Sequence, residues 1–167
     1  MLLALDQSSS RTGVCKGRPE GPVASYSFGL PKCGDDFGLA LTLYDAWLER
    51  QLEDVDLIAF ERPVNPSCLH LRTARLLYGI AGVIEMVAHR RRIAAVEADT
   101  NKLKKLIYGR GGKKPKPDEA CMHARRWGFD PANGDEADAC GVWLITVQYQ
   151  FPDAFNRVWL PKRSAAA

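Results

Sequence analysis

Four carboxylates stand where an α/β chain places its chemistry. Asp6 closes one apolar run, Leu2-Leu-Ala-Leu-Asp6, and Glu61 closes another, Leu57-Ile-Ala-Phe-Glu61. Acids that end buried strands lie at the sheet edge where such domains hold their ligands. Asp135 and Asp138 are three residues apart at the start of a further apolar segment, Gly134-Asp-Glu-Ala-Asp138-Ala-Cys-Gly-Val-Trp-Leu-Ile. That spacing puts both on one face of a helix. Glu136, between them, projects about 100° away and is expected to face solvent.

Several carboxylates brought close repel one another and do not all stay ionised. A hard divalent cation removes the conflict. Mg²⁺ takes oxygen ligands, keeps several waters and prefers a few carboxylates plus a phosphate. Two such ions about 3.5–4 Å apart can clamp an in-line displacement at phosphorus, one activating the attacking water and the other stabilising the leaving oxygen. The expected cofactor is therefore Mg²⁺, as two ions, with Mn²⁺ able to substitute, held by Asp6, Glu61, Asp135 and Asp138. Each acid also has a plainer reading. A strand-end Asp forms turns and a helix-start Asp is often a cap, an alternative that applies most to Asp135. Asp138 adjoins an apolar run and is expected to face inward or toward the site.

The elements that must position these acids follow from periodicity. Leu2–Asp6, Thr12–Lys16 and Val23–Phe28 read as three strands of a meander, separated by the polar turn Gln7–Arg11 and the Gly/Pro-rich link Gly17–Pro22. Cys33–Asp36 opens a helix whose stripe is Phe37, Leu41, Tyr44, Leu48 and Leu52. Asp56–Phe60 is a buried strand, and Pro63 and Pro66 then hold a loop open. Residues 71–92 carry the longest helical pattern, with two apolar stripes: Leu71, Ala74, Leu77, Ala81 and Ile84, then Leu76, Ile80, Val83 and Val87. One stripe belongs on the sheet; the other suits either a second subunit or a neighbouring helix of the same chain. Gly79 and Gly82 would allow close approach. Ile93–Val96 is a strand, and Asp99 or Thr100 caps a helix through Tyr108. Gly109–Pro117 reads as a basic loop, and Asp118–Trp127 and Asp135–Gln148 as helices. The order implies one α/β domain over 1–150 with a mixed five-stranded sheet, a three-strand antiparallel meander continued by parallel strands and flanked by helices. Residues 151–167 form a C-terminal tail.

The chain has 167 residues, 46% apolar and 26% charged, enough for a real core in one domain. No apolar run reaches the roughly 18 residues of a membrane helix, and the N-terminus has no secretory signal pattern. Five cysteines without a Cys-x-x-Cys pair argue against zinc and disulfide frameworks and fit a reducing cytoplasm. Charge is unevenly placed. Between residues 99 and 128 nine Lys/Arg face three Asp/Glu, a local +6, which leaves −3 for the rest of a chain whose net is +3. A basic segment on a slightly acidic protein suggests a polyanion on one face.

Together these segments resemble the RuvC family of Holliday-junction resolvases, within the ribonuclease-H-like superfamily. Asp6-Gln-Ser-Ser-Ser-Arg-Thr12-Gly13 is similar to the family's Asp-Pro-Gly-x-x-x-Thr-Gly turn, with Gln7 and Ser8 in place of Pro and Gly. Ile58-Ala-Phe-Glu61 resembles its second acidic strand, residues 71–92 its long central helix, and Asp135-x-x-Asp138-Ala its final acidic pair. The resemblance spans residues 2 to about 148. It implies a ribonuclease-H-like fold, a homodimer formed through helix 71–92, and paired nicking of four-way DNA junctions in recombination, repair or phage DNA processing, in a bacterial or phage-infected cytoplasm. Asp6, Glu61, Asp135 and Asp138 would be catalytic as metal ligands. Lys104 matches a basic residue that serves catalysis or phosphate contact. Lys102, Lys105, Arg110, Lys113, Lys114 and Lys116 would bind DNA. Val64 stands near where the family often carries an aromatic that stacks on junction bases.

Two other readings compete. Asp6-Gln-Ser-Ser-Ser-Arg is close to the first phosphate loop of actin-like phosphotransferases, Asp-Gln-Gly-Thr-Thr-Ser, but those enzymes need two such domains and 167 residues hold one. A catalytically idle module that binds branched DNA is the other, and the intact set of acids argues against it.

Overall fold

The sheet is built by alternation. The computed structural model describes residues 1–108 and 116–165. Five strands, β1 (Leu2–Gln7), β2 (Arg11–Gly17), β3 (Val23–Gly29), β4 (Leu57–Glu61) and β5 (Ala94–Ala98), form one sheet in the order β3-β2-β1-β4-β5. The first three make the antiparallel meander, and β4 and β5 run parallel to β1. Leu3, Leu5, Val14, Ile58 and Phe60 enter the core on one face, and Leu2, Ala4, Cys15, Leu57 and Ala59 the core on the other. The period of two fixes these faces, and a slip of one residue would exchange them.

Helices α1 (Phe37–Gln51) and α2 (Leu71–Arg91) cover the first face. Asp36 caps α1, its Oδ1 accepting the Leu39 N–H at 2.8 Å, which spares the first turn an orphan donor. The C-terminal parts of both expected stripes of α2 are buried within the chain: Ile80, Ala81, Val83, Ile84 and Val87 share a core with Tyr44, Trp47 and Leu48 of α1. The neighbouring helix therefore takes the second stripe. Gly79 makes this possible, since a Cβ there would lie 3.0 Å from the Leu41 side chain. Leu71, placed in the first stripe by spacing, is 77% exposed. With Tyr78 and Met86, also exposed, and Gly82, where a Cβ would meet nothing, it forms a separate outer face.

The second face carries α3 (Thr100–Tyr108), α4 (Pro117–Arg126) and α5 (Gly134–Gln150). Every residue of α5 from Glu136 to Val147 is buried, so this helix is enclosed on all sides. The sheet lies beneath it. Part of its outer cover is the C-terminal segment, helical over Pro152–Ala154, Phe155–Trp159 and Leu160–Ala165. Trp159 stacks on Phe129 at 5.0 Å between ring centroids, meets Trp143 edge-on at 5.0 Å, and donates its indole N–H to the Pro19 carbonyl at 2.7 Å. What reads as a tail is thus packed on the core of the domain. Its π-helical turn at Phe155–Trp159 departs from the 3.6-residue period, so no stripe shows in the sequence.

Truncating a buried aromatic of this kind costs about 3–5 kcal/mol. Trp159→Ala should lose stability on that scale in urea unfolding; a loss below about 1 kcal/mol would mean that the C-terminal segment does not close the core.

Candidate active site

Asp6 lies near the C-terminal end of β1, directly opposite Gly13 of β2. Opposed residues of an antiparallel pair share a face, and this is the α5 face, that of Leu2, Ala4 and Cys15. A Cβ on Gly13 would fall 1.9 Å from the Asp135 carbonyl oxygen. The first turn of α5 therefore rests on the β2 backbone beside Asp6, and only glycine permits it. On the other side of β1, Leu5 pairs with Phe60, and the next step of that register sets Asp6 beside Glu61. Neighbouring strands are about 4.8 Å apart, and Glu61 continues the alternation of Leu57 and Ala59 onto the same face. Asp6 is 5% exposed, Asp138 7% and Glu61 partly buried. Two of the four expected acids, Asp6 and Asp138, are thus buried, while Glu61 and Asp135 are partly exposed.

The start of α5 is fixed by reciprocal bonds between the Asn133 cap and Glu136, a variant of the capping box. Asn133 Oδ1 accepts the Glu136 N–H at 3.1 Å, while the Glu136 carboxylate accepts the Ala132 N–H at 2.9 Å and an Asn133 Nδ2 hydrogen at 2.8 Å. This corrects two expectations. Glu136 does not face solvent; it is buried, because its carboxylate satisfies donors that the helix end leaves open. The cap is Asn133, so Asp135 is released from that role. The Asn133-x-x-Glu136 signature was readable in the sequence, yet angular position alone hid it. The Asp135 carboxylate instead lies 3.7 Å from Nη1 of Arg11, a residue that spacing did not single out.

The turn between β1 and β2 is held by Ser8. Its hydroxyl accepts the Arg11 N–H at 3.0 Å and donates to the Arg11 carbonyl at 2.7 Å, and its own N–H reaches the same carbonyl at 2.8 Å. Behind the sheet, burial holds the Tyr44 phenol well above its ordinary value; the nearby Thr12 hydroxyl opposes the shift and the charge of Asp6 adds to it.

The basic residues divide. Asp99 caps α3, accepting the Asn101 and Lys102 N–H groups at 2.8 and 3.3 Å, and those bonds lower its pKa. Because β5 ends beside Glu61, α3 leaves from the carboxylate end of the sheet. Lys102 lies over the Tyr149 ring at 4.9 Å, Lys104 is half-buried, and Lys105 and Lys116 are exposed. Arg110, Lys113 and Lys114 lie outside the described residues. Arg62, next to Glu61, is paired with Glu97 at 2.9 Å.

An all-carboxylate donor set suits a hard cation such as Mg²⁺; the register puts Asp6 and Glu61 on neighbouring strand ends, and the Asp135 backbone meets Gly13 beside Asp6. As they stand, no three acidic, His or Cys side chains among the described residues are gathered closely enough to hold a metal ion. The donor chemistry suits the ion, but the side chains are not gathered around one point.

No protein-family model and no curated protein matches the chain. Solved structures do. RuvC of Thermus thermophilus superimposes with a TM-score of 0.69 at 14% identity, over 92% of this chain and 96% of that one. The same protein in complex with a Holliday-junction substrate gives 0.69 at 13%, over 93% and 95%. The yeast mitochondrial Holliday-junction resolvase Ydc2 gives 0.50 at 13%, over 99% and 82%. The chain has the RuvC-like, ribonuclease-H-like fold. No described helix is long and apolar enough to cross a membrane.

A side chain at Gly13 forces the first turn of α5 off the sheet, and overpacking of this kind costs about 1–3 kcal/mol. Gly13→Ala should therefore unfold at lower urea than the parent. Gly82→Ala, on the open face of α2, should gain up to about 1 kcal/mol from helix propensity. Equal stability of Gly13→Ala and the parent would contradict the contact.

Proposed function

We propose that this chain is a divalent-metal-dependent endonuclease that resolves four-way DNA junctions in recombination, repair or phage DNA processing. The observation that carries the reading is the placement of Asp6 and Glu61 side by side at the ends of adjacent strands, with Asp135 and Asp138 in the α5 turn that rests against β2, inside a RuvC-like fold. Asp6, Glu61, Asp135 and Asp138 would hold Mg²⁺. Bound there, the ion supplies an activated water and charge neutralisation at the scissile phosphate.

The chain's own residues do the rest. The capping box and the Gly13 contact fix where Asp135 and Asp138 begin, so positioning is set before substrate arrives. Lys104, half-buried on α3, is the candidate for phosphate contact beside the acids. Lys102, Lys105 and Lys116, with Arg110, Lys113 and Lys114, would follow the DNA backbone, where affinity comes mainly from neutralised phosphates.

Symmetric incision of a four-way junction requires two sites. The outer face of α2, with Leu71, Tyr78, Gly82 and Met86, supports a homodimer, since one self-complementary patch generates a two-fold pair. The incomplete gathering of the acids favours one competitor, an idle module that binds branched DNA and cuts nothing.

An end-labelled four-way junction separates the two. Cleavage into nicked duplexes is expected with Mg²⁺ and not with chelator, and Asp6→Asn should bind the junction as the parent does in a gel shift while leaving it uncut. Nicking by Asp6→Asn at the parental rate would remove the site assignment, and binding without any metal-dependent product would establish the idle module.

A further inference from the structure

An exposed aromatic stands beside the start of the basic segment. Tyr149 lies near the C-terminal end of α5 and is 58% exposed. Lys102, in the first turn of α3, holds its ammonium 4.9 Å from the ring centroid, within the range of a cation–π contact. Both residues line a crevice of about 260 Å³, together with Ile145, Ala98 and the ends of β4 and β5. Ala98 pairs with Glu61, so the crevice adjoins the strand end that carries one of the expected acids. Two carboxylates also border it, and both are engaged. Glu97 pairs with Arg62 at 2.9 Å, and Asp99 accepts the N–H groups of Asn101 and Lys102.

We infer that Tyr149 is a stacking platform for one unpaired DNA base, with Lys102 and Lys105 at the adjoining phosphates. This rests on the proposed reading of the chain as a junction nuclease and names a base contact for it. Every base has a π-face that stacks on an aromatic side chain whatever the sequence, and surfaces that take single strands combine such rings with cations. Here ring and cation are in contact, and Lys105, exposed about one turn further along α3, continues the positive charge. A base inside a duplex has both faces covered by its neighbours, so the platform serves strands opened at a branch. The crevice is smaller than the 300–1,000 Å³ or so of a drug-sized ligand site, which suits a single base. A protein partner fits it less well, because the core of a protein interface is depleted in charge and this ring sits among lysines and an ion pair.

Fluorescence anisotropy on the whole chain, with chelator present, tests the inference without any metal. Two end-labelled strands of equal length are compared: ordinary single-stranded DNA, and one whose abasic residues keep the phosphates and remove the bases. The parent should bind the ordinary strand more tightly. Tyr149→Ala should weaken binding to the ordinary strand about five- to hundredfold and leave binding to the abasic strand unchanged. Tyr149→Phe should stay with the parent, and Tyr149→Leu, apolar but without a ring, should follow the alanine variant. Equal affinity of Tyr149→Ala and the parent for the ordinary strand overturns the inference. An equal loss on both strands also overturns it, and makes the ring a mere prop for Lys102. A labelled four-way junction in the same assay separates this from a failure of the nuclease reading. A parent that binds no junction removes that reading and the platform with it; a parent that binds the junction while Tyr149→Ala matches it on the ordinary strand loses only the platform.

Discussion

The first turn of α5 lies against bare backbone at Gly13, and the rest of the site depends on that contact. A Cβ there would overlap the Asp135 carbonyl at 1.9 Å. Because Gly13 is paired with Asp6, the same contact that seats the helix brings the start of α5 beside the Asp6 strand end. The sheet supplies the other half. Parallel pairing of β1 with β4 places two strand ends in one plane, and alternation sends Asp6 and Glu61 to the side where α5 lies. Position in this site is a property of backbone register, which close packing then holds rigid.

Electrostatics pull the other way. Asp6 and Asp138 are almost wholly buried, and carboxylates taken out of water need compensation by hydrogen bonds, protons or cations. Glu136 finds its compensation in the helix end. Asp135 finds part of it in Arg11. Around α5, the aromatic packing of Trp143, Phe129 and Trp159 holds the helix in place.

Much of this was legible in the residues. Apolar runs ending on Asp6 and Glu61 announced both the strands and their shared edge, and Cys33–Asp36 and Asp99 or Thr100 marked where α1 and α3 begin. What failed to show had particular causes. The burial of Glu136 depends on Asn133 three residues earlier, so the angular position of a single residue misplaced it. The partner of the second α2 stripe stayed open between a second subunit and a neighbouring helix because the sequence does not say which way α1 turns, and Gly79 against Leu41 is a contact between elements far apart in sequence. Residues 152–165 hid their packing in short helical turns of mixed period. Arg11 was visible only as part of a polar turn, and Ser8, a departure from the glycine of similar turns, became intelligible once its hydroxyl was seen to bond the Arg11 backbone.

The central claim is that Asp6, Glu61 and the α5 acids make one metal site. Anomalous scattering from a Mn²⁺-soaked crystal of the chain tests it most directly. The account predicts a peak at the carboxylate end of the sheet, within about 2.0–2.6 Å of oxygens from Asp6 and at least two of Glu61, Asp135 and Asp138. A saturated crystal with no peak there, or with Mn²⁺ only at acids elsewhere on the surface, would contradict it.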